Sequence, residues 1–163
     1  MSREIGLTQG KVAVVDDDDF DCLNQYKWQA HNNYGYGWYA VRCSYGPRKR
    51  TIFMHRQVLG LRRGKLADHI NGNGLDNRRS NLRLCTHSQN SANHQKRKGK
   101  SKYNGVCWCK QYQKWRARIC VDYKRIHLGR YDTEIEAAAA YDVAAVKHFG
   151  EFARLNFPKK GVA

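Results

Sequence analysis

No two cysteines in this chain stand at C-x-x-C spacing, although six are present, at positions 22, 43, 85, 107, 109 and 120. Structural zinc sites draw on such pairs, because a short loop brings two thiolates onto one ion, so structural zinc is not expected. The thiols of Cys107 and Cys109 point the same way on an expected strand, which by itself indicates nothing. Long apolar runs are also missing. None approaches the roughly 20 residues that span a bilayer, and Met1–Gly10 has no signal-peptide core. These absences predict an intracellular, cytoplasmic chain with reduced thiols and no membrane partner. Acids are scarce as well: 14 Asp and Glu against 30 Lys and Arg leave a formal charge of +16.

That charge is uneven. Residues 95–130 hold twelve Lys or Arg and a single acid, Asp122, whereas Asp16–Asp21 holds five acids. A basic region interleaved with Trp, Tyr and His suits nucleic acid, and no long amphipathic basic helix argues for a membrane surface. The acidic cluster ends an apolar run, Val12–Val15. It reads as a solvated turn and helix start rather than a metal site, since no partner ligand is near in sequence.

Chemistry concentrates in residues 55–94. Asp68-His69 is followed by Asn81 and Asn90. Hydrolysing a phosphodiester with a metal needs hard oxygen ligands, a neutral imidazole as base and a rigid frame that aims it. Asp68 and Asn90 offer oxygens, His69 the base, and Asn81 an amide to fix geometry. Leu66–Ile70 reads as a strand, Asn71–Asn77 as a turn-rich loop and Leu82–Cys85 as a returning strand. Thr86 and Gln89 stand at capping-box spacing, so a helix is expected from His87, with Asn90 in its first turn. The alternative is a polar hairpin whose His and Asp only serve the turn; four elements in order argue against it.

The stretch resembles the HNH (ββα-metal) nuclease family, particularly phage and intron-associated homing endonucleases. The match rests on Met54-His55-Arg56, DHINGN, LDNRRSNLR and the trailing Gln89-Asn90. The resemblance implies His69 as general base, Asn81 as the residue that orients the loop, and Asp68 and Asn90 as ligands of a divalent metal, Mg²⁺ or alternatively Mn²⁺. His55 is expected to pack or to contact phosphate and is not assigned to the metal. Upstream, strands are expected over 37–42 and 50–54, joined by a turn at 46–49. Together with the rest of residues 1–54 they would cover a hairpin too small to stand alone.

Residues 95–102, QKRKGKSK, read as a basic linker with five positive charges. Lys96, Arg97 and Lys98 are candidates for contacts to a phosphate backbone, or the segment is only a solvated tether. Beyond it, Trp115, Ala117, Ile119 and Val121 share one face of a strand, and Lys114, Arg116, Arg118 and Cys120 the other. A third strand is expected over 103–109, and Arg125–Leu128 repeats the alternation after a turn. Thr133 and Glu136 form a capping box for an Ala-rich helix that Gly150 ends. The basic row, backed by Arg125 and His127, exceeds what solubility requires.

This part resembles the APETALA2/ethylene-response-factor DNA-binding domain through Tyr103–Val106, Lys114–Ile119, His127–Thr133, Glu136–Gly150 and Ala153–Pro158. The resemblance implies a three-stranded sheet lying in the major groove, with Arg118, Cys120, Arg125 and His127 toward DNA. Cys107 and Cys109 stand where relatives usually carry Arg, and one extra residue precedes Lys114, so the docking face carries over but not the recognised sequence.

The expected chain is α+β, with a nuclease domain over 1–94, a linker over 95–102 and a DNA-binding domain over 103–158. The expected activity is site-specific, metal-dependent cleavage of double-stranded DNA without a small-molecule cofactor. One hydrolytic set and no visible surplus apolar stripe point to a monomer that nicks one strand. The rival reading is a DNA-binding regulator with a vestigial nuclease fold. An RNA-directed nuclease fits less well, since the narrow deep groove of duplex RNA excludes a sheet.

Overall fold

The computed structural model describes residues 1–34, 37–44, 48–94 and 100–158. Among them are four small antiparallel sheets and four α-helices, an α+β architecture. The chain divides into two compact units, Met1–Thr86 and His87–Ala163. The division lies ahead of residue 94, where the sequence suggests that the nuclease domain ends.

In the first unit, β1 (Ser2–Gly6) pairs with β2 (Val12–Asp16), and α1 (Asp17–Asn24) follows directly. A second sheet takes β3 (Gln29–Asn33), β4 (Gly37–Cys43) and β5 (Thr51–Phe53) in that order. The expected turn at 46–49 falls partly outside the described residues. The strand expected over 50–54 stops at Phe53, and Met54 opens α2 (Met54–Val58). Met54 and Val58, four apart, bury on one helical face, which a strand could not do. Then comes the hairpin of β6 (Leu66–His69) and β7 (Leu82–Cys85), with Asp68 opposite Arg83 and His69 opposite Leu82.

Four residues per strand cannot enclose a core of their own. Leu82 instead joins Ile5, Val15, Leu23, Trp28, Met54 and Val58 in one cluster. The backbone of β2 also reaches the loop between β6 and β7. Val14 N–H donates to Leu75 O at 2.9 Å, and Asn77 N–H donates to Val14 O at 2.7 Å. Gly74 permits a close approach on the other side: a Cβ there would lie 2.5 Å from Trp38 O and 2.7 Å from the Tyr39 ring. The acidic cluster serves the same frame. Buried Asp19 accepts from Arg79 Nε at 2.8 Å and Nη2 at 2.7 Å, and Asp16 Oδ2 accepts from Arg79 N–H at 2.7 Å. Its partner is therefore a cation distant in sequence.

The second unit contains α3 (His87–Ala92), then β8 (Val106–Cys109), β9 (Lys114–Val121) and β10 (Lys124–Tyr131), with β9 central. α4 (Glu134–Phe149) packs its alanines on the sheet; Ala137, Ala138 and Ala145 are fully buried beside Ala117 and Ile119. Thr133 and Glu136 form the capping box, and Gly150 ends the helix at φ 54°. Ala92 of α3 is buried in this unit's core, and its carbonyl accepts from Arg154 N–H at 3.3 Å.

Candidate active site and nucleic-acid interface

The β6–β7 hairpin ends at a loop cross-linked by its own amides. Asn81 Nδ2 donates to Asp76 O at 2.8 Å and to Asn71 Oδ1 at 3.1 Å, and its Oδ1 accepts from Asn71 N–H at 3.0 Å. Asp76 is held by Arg78 at 2.7 Å and by Asn71 Nδ2 at 2.9 Å. The Arg78 hydrogen bond holds the Asp76 carboxyl below the usual carboxylate range. Asp76 and Asn81 are buried and satisfied, with exposed Asn71 and half-buried Arg78 bonding to them from the rim, so the loop is stiff.

His69 closes β6 at the foot of this loop and is 6% exposed. Asn77 Oδ1 lies 3.4 Å from its Nε2. Asn77 is 1% exposed, and its Nδ2 has no partner among the described residues. Turned over, that amide could meet the imidazole lone pair instead, so the contact is compatible with either tautomer. Burial pushes the His69 pKa below 6.5, while Asn77, Asp68 and Asp76 pull the other way. Its ring is flanked by His55, with centroids 4.9 Å apart, and by Tyr39 at 5.8 Å. Burial, then His69 and Arg56, lower the His55 pKa to about 3, so its imidazole is neutral near pH 7.

Asp68 is buried next to His69 in sequence, on the strand face that meets Arg83. Its Oδ2 accepts from Arg83 Nε at 3.1 Å and Nη2 at 2.9 Å. Asn90 sits half-buried on α3, in the second unit. Asp68, His69 and Asn81 thus gather in the first unit and Asn90 belongs to the other. Among the described residues no group of three or more His, Cys, Asp or Glu is placed to hold a metal. The Asp68 carboxylate is a hard oxygen donor of the kind Mg²⁺ takes, and that ion keeps several waters and uses few protein ligands.

The sheet of the second unit presents the other surface. Strand pairing puts Cys107 opposite Arg116, Cys109 opposite Lys114, Arg118 opposite His127 and Cys120 opposite Arg125. Lys114, Arg116, Arg118, Arg125 and His127 therefore share one face, as their alternation implies. Arg130, opposite Arg116, shares it too. Counting in twos from His127 would place Arg130 on the core face; a bulge between His127 and Gly129 reverses the parity. The isolated Gly129 in a strand was the available signal. Arg116, Arg118, Arg125, His127 and Arg130 line a shallow depression of about 370 Å³. Lys96, Arg97 and Lys98 lie outside the described residues. No described helix is long and apolar enough to cross a membrane.

Comparison with known proteins bears on both surfaces. The family model for HNH endonuclease matches residues 55–92, and that for the AP2 domain matches residues 101–151. An uncharacterized HNH endonuclease of Acanthamoeba polyphaga mimivirus is 30% identical over 157 residues, covering 93% of this chain and 78% of that protein. An ethylene-responsive transcription factor of Arabidopsis thaliana is 45% identical over 62 residues, 37% of this chain and 14% of that protein. An APETALA2-like protein of Oryza sativa subsp. indica matches over the same length at 45%, again covering 14% of its own. The chain spans only a small part of the plant proteins, and it aligns with the viral protein along nearly all of its own length. The chain belongs to the HNH endonuclease family and carries an AP2 domain behind its nuclease motif.

Proposed function

We propose that this chain is a metal-dependent, site-specific endonuclease of double-stranded DNA, in the manner of homing endonucleases, with each chain severing one strand. The observation that carries this reading is the setting of His69: a buried imidazole with a lowered pKa, held against Asn77 and adjoining Asp68. A base must be neutral to accept a proton, and burial keeps it so.

His69 takes a proton from a water as its oxygen bonds to the scissile phosphorus, and the bond to the leaving 3′ oxygen breaks. Asn81 pins the loop and Asn77 packs the ring, so the imidazole needs no reorganisation during transfer. Asp68 and Asn90 would hold the divalent ion, whose chemistry is to stabilise negative charge on the phosphate and leaving oxygen. Arg116, Arg118, Arg125, His127 and Arg130 bind the duplex through the sheet, and Lys96, Arg97 and Lys98 add backbone contacts.

One observation favours a second reading, a DNA-binding regulator with an idle nuclease fold: the Asp68 carboxylate is already paired with Arg83. Plasmid incubated with the chain and Mg²⁺, Mn²⁺ or EDTA separates the two. Cleavage that needs metal and disappears in His69→Ala, with DNA affinity kept within a few-fold, supports the nuclease. Intact plasmid under every metal, with specific binding retained, selects the regulator.

A further inference from the structure

α4 buries one face on the sheet of its own unit and leaves the other exposed among the described residues. That free face is apolar: Ile135 is 61% exposed, Val143 73% and Val146 52%, with Ala139 exposed between them. At 3.6 residues per turn, positions 135, 139, 143 and 146 fall in one narrow stripe. Asp142 does not charge it. Its carboxylate is buried and accepts the Asn156 and Phe157 N–H groups at 2.8 Å each. Stripes at this spacing are how helices dock on partners.

We propose that α4 is a self-association surface, on which a second copy of this chain docks antiparallel about a two-fold axis. The charges on the helix select that occupant. Glu134 and Glu136 stand in its first turn, Lys147 and His148 in its last. Glu136 and Lys147 are separated by close to three full turns, so they flank the stripe on the same side. An antiparallel copy brings that side against its own equivalent, setting Glu136 beside the copy's Lys147 twice over. The same register puts Ile135 opposite Val146, and small Ala139 opposite bulky Val143. Helix macrodipoles oppose as well. A parallel copy would turn that side toward the opposite flank of its partner, leaving Glu136 and Lys147 without each other as partners, and would align the dipoles. The surface is therefore self-complementary in one orientation, which is the requirement of an isologous dimer.

One pair of four-turn helices buries less than the roughly 1,000 Å² of a free-standing interface, so the pairing is weak in solution, with a Kd on the order of 100 µM. Two chains on one duplex experience a far higher effective concentration. The pairing does not depend on the nuclease reading. If that reading holds, a two-fold pair supplies two centres of opposite polarity, as cutting both strands requires.

The test is sedimentation equilibrium of the full chain under reducing conditions, up to about 1 mM. Wild type is expected to show a reversible monomer–dimer equilibrium. Glu136→Lys alone and Lys147→Glu alone should each weaken it at least tenfold, because like charges then meet. Mixed together, the two variants restore every opposite pair and should form a heterodimer tighter than either variant's homodimer, even though Glu136→Lys also removes the capping-box carboxylate. Restoration on mixing also shows that each variant helix is folded. A wild type that stays monomeric throughout overturns the proposal. So does a dimer unmoved by either charge reversal, which would place the contact elsewhere.

Discussion

The imidazole of His55 stands edge-on to that of His69, with planes at 78° and centroids 4.9 Å apart. Phe53 and Tyr39 complete the enclosure, at 5.5 Å and 6.1 Å from the His55 ring. His55 thus forms a wall of the candidate base's pocket. If its ring shape is what matters, His55→Phe should keep the cleavage rate within a few-fold, while His55→Ala lets His69 tilt and lowers kcat about 100-fold. Single-turnover rates of the two variants decide it. A Phe variant as slow as the Ala variant would mean that a His55 nitrogen takes part.

His55 also ties stability to pH. Its folded pKa is about 3 against an ordinary 6.5, so the unfolded chain binds the extra proton between those values. Stability is complete above pH 6.5 and falls as the pH drops toward 3, by up to about 1.4 kcal/mol per pH unit. His69, lowered by burial in the same way, adds to this loss. Urea titrations at pH 7, 6 and 5 should show it, and His55→Phe should flatten the dependence by about one proton. Parallel slopes in the two proteins would refute this role for His55.

Arg83 neutralises a buried carboxylate. The Asp68 and Arg83 side chains are only 7% and 13% exposed, at 2.9 Å. Removing the cation in Arg83→Met strands that charge and should cost about 3 kcal/mol without metal. If Asp68 is a metal ligand, millimolar Mg²⁺ should recover part of the loss, and a thermal melt with and without Mg²⁺ measures it. No difference between the two melts would detach Asp68 from the metal.

Arg130 enters the cationic face through the bulge at Leu128. Arg130→Ala should weaken specific DNA binding by about 1–3 kcal/mol, comparable to Arg118→Ala. Competition binding on a selected site tests it. A variant binding like wild type would put Arg130 outside the footprint, even though its guanidinium, stacked 3.9 Å over the Tyr112 ring, is already oriented.

The elements legible in the sequence were those with local causes. β7 and β9 keep the bounds that alternation gave them, and α4 starts and stops at its capping box and glycine. The motif around Asp68, His69 and Asn81 needs only one hairpin, so its order along the chain sufficed. Less was legible where partners are distant or parity breaks. Nothing in the sequence pairs Asp19 with Arg79, sixty residues on. The short α2 was invisible because Met54 and Val58 are helical only through the core they enter. Arg130 was missed because one extra residue turned the strand over.

The sequence by itself determined the two kinds of surface, an acid-histidine hairpin and a cationic sheet, since each is written in short-range order and period. Only the tertiary structure decided what surrounds them. It packs His55 and Asn77 on His69, Arg83 on Asp68 and Asn90 within the second compact unit. The apolar stripe of α4 was equally beyond the sequence. Alanines and valines surround that helix, and which of them remain uncovered depends on where the sheet packs. Burial is a property of distant neighbours, and a linear pattern records only near ones.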